Sequence, residues 1–248
     1  MSLLPSLNKF DRGGYWHPYT DHVSYYCLIP KNASSWVSEL LMHNQWHEGP
    51  IEACPNQTLS ELVVVLRDPI ERWIAGISQY LYGYVLNSHW YDRQQFNQGY
   101  TGRYIPGKLN YRDPPMSGAE FINNYNPVVE RILFDQIAFD DHTQSQSWFV
   151  NYYNPLSTTW FYLDDRFEKT FLFHYKGYNF ELPPVKNYNR GDDNPDIRMI
   201  TKFLRQQIAE KPYLRNNIER YYKDDYDLLQ RANFVYHSDE EINNLLND

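Results

Sequence analysis

The sequence predicts an α/β protein with a central parallel sheet flanked by helices, and three observations predict it. Tyr25–Trp36 is an apolar run that ends in the turn Pro30-Lys31-Asn32-Ala33-Ser34-Ser35-Trp36. Glu61–Tyr80 repeats the arrangement, with Leu62-Val63-Val64-Val65-Leu66 feeding into Arg67-Asp68-Pro69 and then a helical pattern. Each reads as a buried strand, a short polar turn and a helix start. Further strands and helices alternate along the chain, which implies parallel pairing with helices on both faces.

The elements follow in order. His22–Ile29 reads as a strand and Ser35–Trp46 as the next helix, with Trp36, Leu40 and Leu41 at helical spacing. Glu61–Leu66 is almost continuously apolar, the pattern of a central strand covered on both faces. Pro69 suits the first turn of a helix, where its missing N–H costs nothing. Trp73, Ile74, Ile77 and Leu81 then form a stripe for burial.

Asn87–Pro115 is polar and aromatic, dense in Gly, Pro, Asn and Tyr, and residues 85–116 read as a lid or acceptor-binding insertion. Ser117 caps a helix through Tyr125, with Glu120 completing a capping box, and Pro127–Phe134 adds a further turn or two. Trp160–Leu163 and Thr170–Tyr175 read as short strands. Pro183–Pro195 is a second loop, containing Lys186, Asn189 and Arg190. Asp196–Glu210 and Pro212–Ala232 read as amphipathic helices, the latter with Ile218, Tyr221, Tyr222 and Leu228 facing inward. Residues 238–248 form an acidic tail. One domain spanning 1–248 accommodates all of this.

Composition narrows the function. A formal net charge of −8 argues against nucleic-acid and anionic-membrane partners, which need clustered basic surface. No stretch approaches the roughly 20 apolar residues of a membrane span. The N-terminus lacks a signal-peptide core, and Cys27 lies inside a strand pattern, so a cytoplasmic protein without a disulfide framework is expected. The sequons at Asn32 and Asn56 read as coincidental. The chain holds 23 tyrosines, 7 tryptophans and 13 phenylalanines. Such rings can stack on pyranoses, although they serve cores and surfaces equally well.

Two turns carry the chemistry. A turn between strand and helix presents unpaired N–H groups at the positive end of the helix dipole, where anions bind. In the first turn Lys31 adds an ammonium, Ser34 and Ser35 add hydroxyls, and Ala33 lets backbone approach closely. The ordinary alternative is a helix cap with a solvated lysine. In the second turn Arg67 stands at the strand's carboxyl end, a guanidinium suited to bidentate oxyanion contact. Internal pairing of Arg67 and Arg72 with Asp68 and Glu71 is the alternative, and for Arg72 it is the better one. Two anion sites at strand ends suit a nucleotide with phosphate at its 5′ and 3′ positions. The Walker A spacing is absent.

Pro-Lys-Asn-Ala-Ser-Ser-Trp at 30–36 resembles the 5′-phosphosulfate loop of the PAPS-dependent sulfotransferases, and Arg-Asp-Pro-Ile-Glu-Arg at 67–72 resembles their 3′-phosphate motif. Asp140-Asp141-His142-Thr143-Gln144-Ser145-Gln146 is similar to a His-containing segment of the carbohydrate (Golgi-type and bacterial) branch. The run Tyr221-Tyr222-Lys223-Asp224-Asp225-Tyr226-Asp227-Leu228-Leu229 resembles that branch's closing helix. Residues 85–120 have no counterpart in it. The resemblance implies a three-layer P-loop-like fold, PAPS as cosubstrate, no metal, and a hydroxyl acceptor such as an oligosaccharide.

The resemblance further implies that Lys31, Asn32, Ala33, Ser34 and Ser35 hold the 5′-phosphosulfate and Arg67 the 3′-phosphate. Trp36 takes the position of a ring that lies against the adenine in some members. A family serine eight residues after the arginine is Ala75 here, so Ser78, one helical turn on, is the substitute ligand. Lys31 is the electrophilic catalyst and His142 the general base, oriented by Asp140 or Asp141. His17, His43, His47 and Glu48 are rival bases, and a structural or acceptor-positioning His142 is the alternative to all of them. Gln146 matches the family segment without an assigned role. Lys186 and Arg190 can close over the nucleotide. A non-catalytic sulfotransferase-fold binding module and a nucleotide-dependent phosphoryl transferase are the competing functions.

Overall fold

Strand β4, Leu59–Leu66, organises the sheet because its apolar run must be covered on both faces. A computed structural model describes residues 13–18, 23–53, 59–82, 117–175, 194–238 and 240–241. These divide into two compact units. The sheet unit takes the described residues of Asp11–Asp68, Gln146–Tyr188 and Asp227–Asp248. The helical unit takes those of Pro69–Ser145 and Asn189–Tyr226.

In the sheet unit, β1 (Gly14–Pro18), β2 (Val23–Cys27), β3 (His47–Glu48), β4 and β5 (Ser157–Tyr162) form a five-stranded sheet in the order β3-β1-β2-β4-β5. The strands β2, β4 and β5 run parallel, while β1 is antiparallel to both β2 and β3. The two-residue period of a strand divides β4 cleanly. Val63 and Val65 join Tyr26 and Phe161 beneath helices α1 (Ser34–His43) and, far along the chain, Phe167–Tyr175. Leu62, Val64 and Leu66 face the other way with Tyr25, Cys27, Phe149 and Val150. Every residue from Leu62 to Leu66 is at most 1% exposed.

The helical unit holds α2 (Pro69–Tyr80), α3 (Gly118–Asn124) and α4 (Pro127–Gln136). Helix α5, Gln146–Val150, and helix α6, Phe167–Tyr175, belong to the sheet unit. Next come α7 (Pro195–Glu210) and α8 (Pro212–Tyr221) of the helical unit, then α9 (Lys223–Arg231), along which the chain passes from one unit to the other. Trp73, Ile74, Ile77 and Leu81 are buried as their spacing predicts, against Phe121, Leu133, Phe134, Leu204 and Ile218. The Ser117–Glu120 capping box is present, with both reciprocal hydrogen bonds made.

Four expectations are corrected. The sheet is mixed, because the short aromatic run of β1 forms an antiparallel edge beside the parallel strands. Thr170–Tyr175 belongs to helix α6: Phe167, Phe171 and Tyr175 recur every fourth residue and all are buried, so helical period overrides aromatic strand preference. Pro212–Ala232 is two helices, broken at Tyr222. Tyr221 is 39% exposed, although Ile218, Tyr222 and Leu228 do face inward. Residues 85–116, the Pro183–Pro195 loop with Lys186 and Arg190 (up to residue 193), Cys54, Asn56 and the tail beyond 241 lie outside the described residues. Among the described residues no helix is long and apolar enough to cross a membrane.

Candidate functional site

The turn after β2 is backbone-strained. Lys31 has φ 70° and Ala33 φ 57°, both in the left-handed region that L residues seldom enter. Such turns gather N–H groups into a concavity suited to anions. Helix α1 begins directly behind it with no side-chain cap and no acidic residue in its first turn. Lys31, Ser34 and Trp36 are half-buried and Ser35 is exposed. The ring of Trp36 meets Phe167 and Phe171 edge-on, at 5.6 and 5.8 Å between centroids.

Asn32, fully buried, holds the strained turn in place. Its Nδ2 donates to the Val65 carbonyl at 2.7 Å and to Gln146 Oε1 at 2.6 Å. Its Oδ1, buried as well, has no hydrogen-bond partner among the described residues. These bonds tie the end of β2 to the neighbouring β4, which is how a left-handed Lys31 and Ala33 are sustained.

Arg67 stands at the carboxyl end of β4. Its N–H donates to Gln146 Oε1 at 2.9 Å and its carbonyl accepts from Gln146 Nε2 at 2.9 Å. The guanidinium donates from Nη1 to the Lys31 carbonyl at 3.2 Å. Lys31 and Arg67, 36 positions apart, therefore meet where two parallel strands end, the edge at which open α/β sheets bind ligands. Tyr162, at the matching end of β5, is paired in register with Leu66. Burial and the Asp68 and Asp164 carboxylates push its hydroxyl up, against the opposing pull of Arg67.

His142 and Ser78 belong to the helical unit. The Phe139–Thr143 turn is closed by Thr143, whose hydroxyl accepts from the N–H groups of Phe139 at 2.7 Å and Asp140 at 3.0 Å. It leaves His142 half-buried, with Nδ1 donating to Asp140 Oδ2 at 3.0 Å and Asp141 Oδ1 at 2.9 Å. Burial depresses the imidazole's affinity for a proton, but the two carboxylates outweigh it and raise the pKa to about 9. Asp141 is held below the usual carboxylate range: burial pushes it up, and its bond to His142 overcomes that. At neutral pH the three form an imidazolium flanked by two carboxylates.

Arg72 is fully buried and donates to the carbonyls of Gln144 and, at 3.1 Å, Asp141. Its guanidinium thus serves backbone carbonyls, and Glu71 pairs with Arg205 at 2.6 Å. Ser78 is fully buried, and its hydroxyl accepts from Thr201 at 3.1 Å. The rival base Glu48 is exposed on β3, as is His47, whose ring stacks at 4.4 Å on Trp16. His43 is exposed in the last turn of α1, and His17 lies in β1 with its ring 5.8 Å from that of Trp46.

One atom each from Asp140, Asp141 and His142 lies within 4.8 Å of the others, close enough to ligate a metal ion. Sequence spacing suggests no such set, because three adjacent residues converge only when a tight turn folds them inward.

No protein-family model, curated protein or solved structure matches this chain.

The structure adds Gln146 and Tyr162 to the residues of interest around Lys31 and Arg67. Gln146 has a signal in the sequence, its place in the Asp140–Gln146 segment. Tyr162 has only its place at the end of a predicted strand.

Proposed function

We propose that the chain is a PAPS-dependent sulfotransferase of P-loop-like fold, carrying a sulfuryl group to a hydroxyl acceptor, with a saccharide as the favoured class. One observation carries the reading: the guanidinium of Arg67 is hydrogen-bonded to the carbonyl of Lys31, so the two anion-binding motifs adjoin at the ends of parallel strands.

In this reading the N–H groups at the start of α1, Lys31, Ser34 and Ser35 hold the 5′-phosphosulfate, and Arg67 holds the 3′-phosphate. Ser78 is left out of the ligand set because it is buried against Thr201. The acceptor oxygen attacks sulfur in line, the bond from sulfur to the bridging oxygen breaks, and the electron pair leaves on the 5′-phosphate of PAP. The Lys31 ammonium neutralises that oxygen as charge develops. His142 takes the acceptor proton as its neutral imidazole.

That base is mostly protonated at rest. With a pKa raised to about 9, only a small fraction of molecules carries neutral imidazole at neutral pH. The same ion pairing favours a second reading, a non-catalytic module of this fold that binds nucleotide or glycan and uses His142 as a structural cation.

Calorimetric titration with 3′-phosphoadenosine 5′-phosphate, beside ATP–Mg²⁺, tests the nucleotide site. Binding of the bisphosphate in preference to ATP supports it, and no binding by folded protein overturns it. Transfer of radiolabelled sulfate from PAPS to a saccharide panel then separates the enzyme from the module.

A further inference from the structure

Gln146 is the first residue of α5, fully buried, and its carboxamide spans the two motifs. Oε1 accepts from the N–H of Arg67 at 2.9 Å and from Asn32 Nδ2 at 2.6 Å, while Nε2 donates to the carbonyl of Arg67 at 2.9 Å. It therefore grips both polar groups of a single peptide-bearing residue, as a neighbouring strand would, at the point where β4 has just ended. Asn32 links the same carboxamide to the strained Lys31–Ala33 turn.

Arg67 lies just beyond the end of β4, where freedom in its backbone would spread to the direction of its side chain. A ligand that needs the guanidinium in one place must otherwise supply that ordering from its own binding free energy. Gln146 removes this cost. Its side chain alone combines an acceptor and a donor at the spacing of an amide, so neither a carboxylate nor a thioether of the same length replaces it.

We infer that Gln146 is a positioning residue that sets Arg67 for contact with the ligand's 3′-phosphate. The inference rests on the proposed bisphosphate site and extends it to a residue that touches no substrate.

The test compares two ligands, 3′-phosphoadenosine 5′-phosphate and adenosine 5′-phosphate, on the wild type, Gln146→Met, Arg67→Ala and the double variant. A positioning role predicts that Gln146→Met weakens the bisphosphate by about tenfold, the scale of a lost buried hydrogen-bond pair, and the monophosphate much less. The preference for a 3′-phosphate thus collapses. The double variant should lose little more than Arg67→Ala alone, because both changes disable one contact. Equal weakening of both ligands, or additive losses, overturns the role in favour of general structural support. An unchanged preference overturns it too.

Gln146→Glu, which retains the acceptor oxygens, serves if the methionine variant does not fold, and is read by the same preference ratio. Failure of the wild type to bind the bisphosphate overturns the nucleotide-site reading itself, and the positioning role falls with it. Wild-type binding beside an unaffected Gln146→Met overturns the positioning role alone.

Discussion

The α-carbon of Gly76 lies against the backbone carbonyl of His142. A Cβ built on that glycine would sit 2.9 Å from the carbonyl carbon, and closer still to the oxygen. Helix α2 and the 139–144 turn thus pack with backbone on backbone, and only a residue without a side chain permits it. Arg72, one turn earlier on α2, binds the carbonyls of Asp141 and Gln144, so the helix both approaches and secures the turn that carries His142.

Gly76→Ala is therefore expected to be destabilising by about 1–3 kcal/mol, the cost of forcing a methyl into a close-packed contact. The displaced turn should also change the environment of His142. Urea denaturation and the His142 imidazole resonances check the two effects. A variant with wild-type stability and an unshifted imidazole would contradict the packing.

Replacing Arg72 with Met takes a donor from the carbonyl of buried Gln144 and from that of half-buried Asp141. The expected loss is about 2–5 kcal/mol, each orphaned group contributing on the order of 1–3 kcal/mol. Denaturant midpoints measure it. A loss below about half a kilocalorie would mean water replaces the guanidinium.

Arg67→Ala is expected to weaken bisphosphate binding about 10- to 100-fold, since a charge-assisted contact contributes roughly 1.5–3 kcal/mol. Stability should fall by only about 0.5–1.5 kcal/mol, the scale of the lost bond to the Lys31 carbonyl, because the anchoring through Gln146 uses backbone atoms. Calorimetry measures the affinity and thermal melting the stability.

The raised pKa of His142 gives a signed pH dependence. The folded imidazole stays protonated to about 9, whereas in the unfolded chain it loses its proton near 6.5. Its contribution to stability is therefore full below about 6.5 and is lost as pH rises through about 9. The proposed transfer runs the opposite way, because it needs His142 neutral, so turnover should rise from neutrality and level off above about 9. Asp141→Asn removes one of the two carboxylates and should shift both profiles to lower pH. A turnover profile flat between neutrality and about pH 9 would remove His142 from proton transfer.

Ala33→Gly is expected to stabilise the fold or leave it unchanged, despite the greater freedom it gives the unfolded chain. At φ 57° alanine carries the left-handed penalty of about 1 kcal/mol, which glycine escapes. Ala33→Val should destabilise by more than that. Thermal melting of the pair reads the backbone strain directly.

Much of the architecture could be read from the chain. β4 announces itself by five consecutive buried apolar residues, α2 by its stripe, and the start of α3 by the Ser117–Glu120 box. What failed had weak or conflicting local signals. The aromatic residues of α6 favour a strand individually and a helix only by their spacing, and β1 is a five-residue run whose pairing partners come later in sequence.

The candidate residues divide along the same line. Lys31, Ser34, Ser35 and Arg67 could be named because each stands in a short motif at a strand end, a property of neighbouring residues alone. Sequence by itself determined which groups are available: an ammonium, two hydroxyls, a guanidinium, and an imidazole between acids. Only the tertiary structure decided how those groups are used. It turned Arg72 and Ser78 inward, brought Gln146 across 79 positions to Arg67, and set two carboxylates on one imidazole nitrogen. The physical reason is that hydrogen bonding and burial depend on which distant backbone groups arrive at a side chain, and those distances are properties of the folded chain.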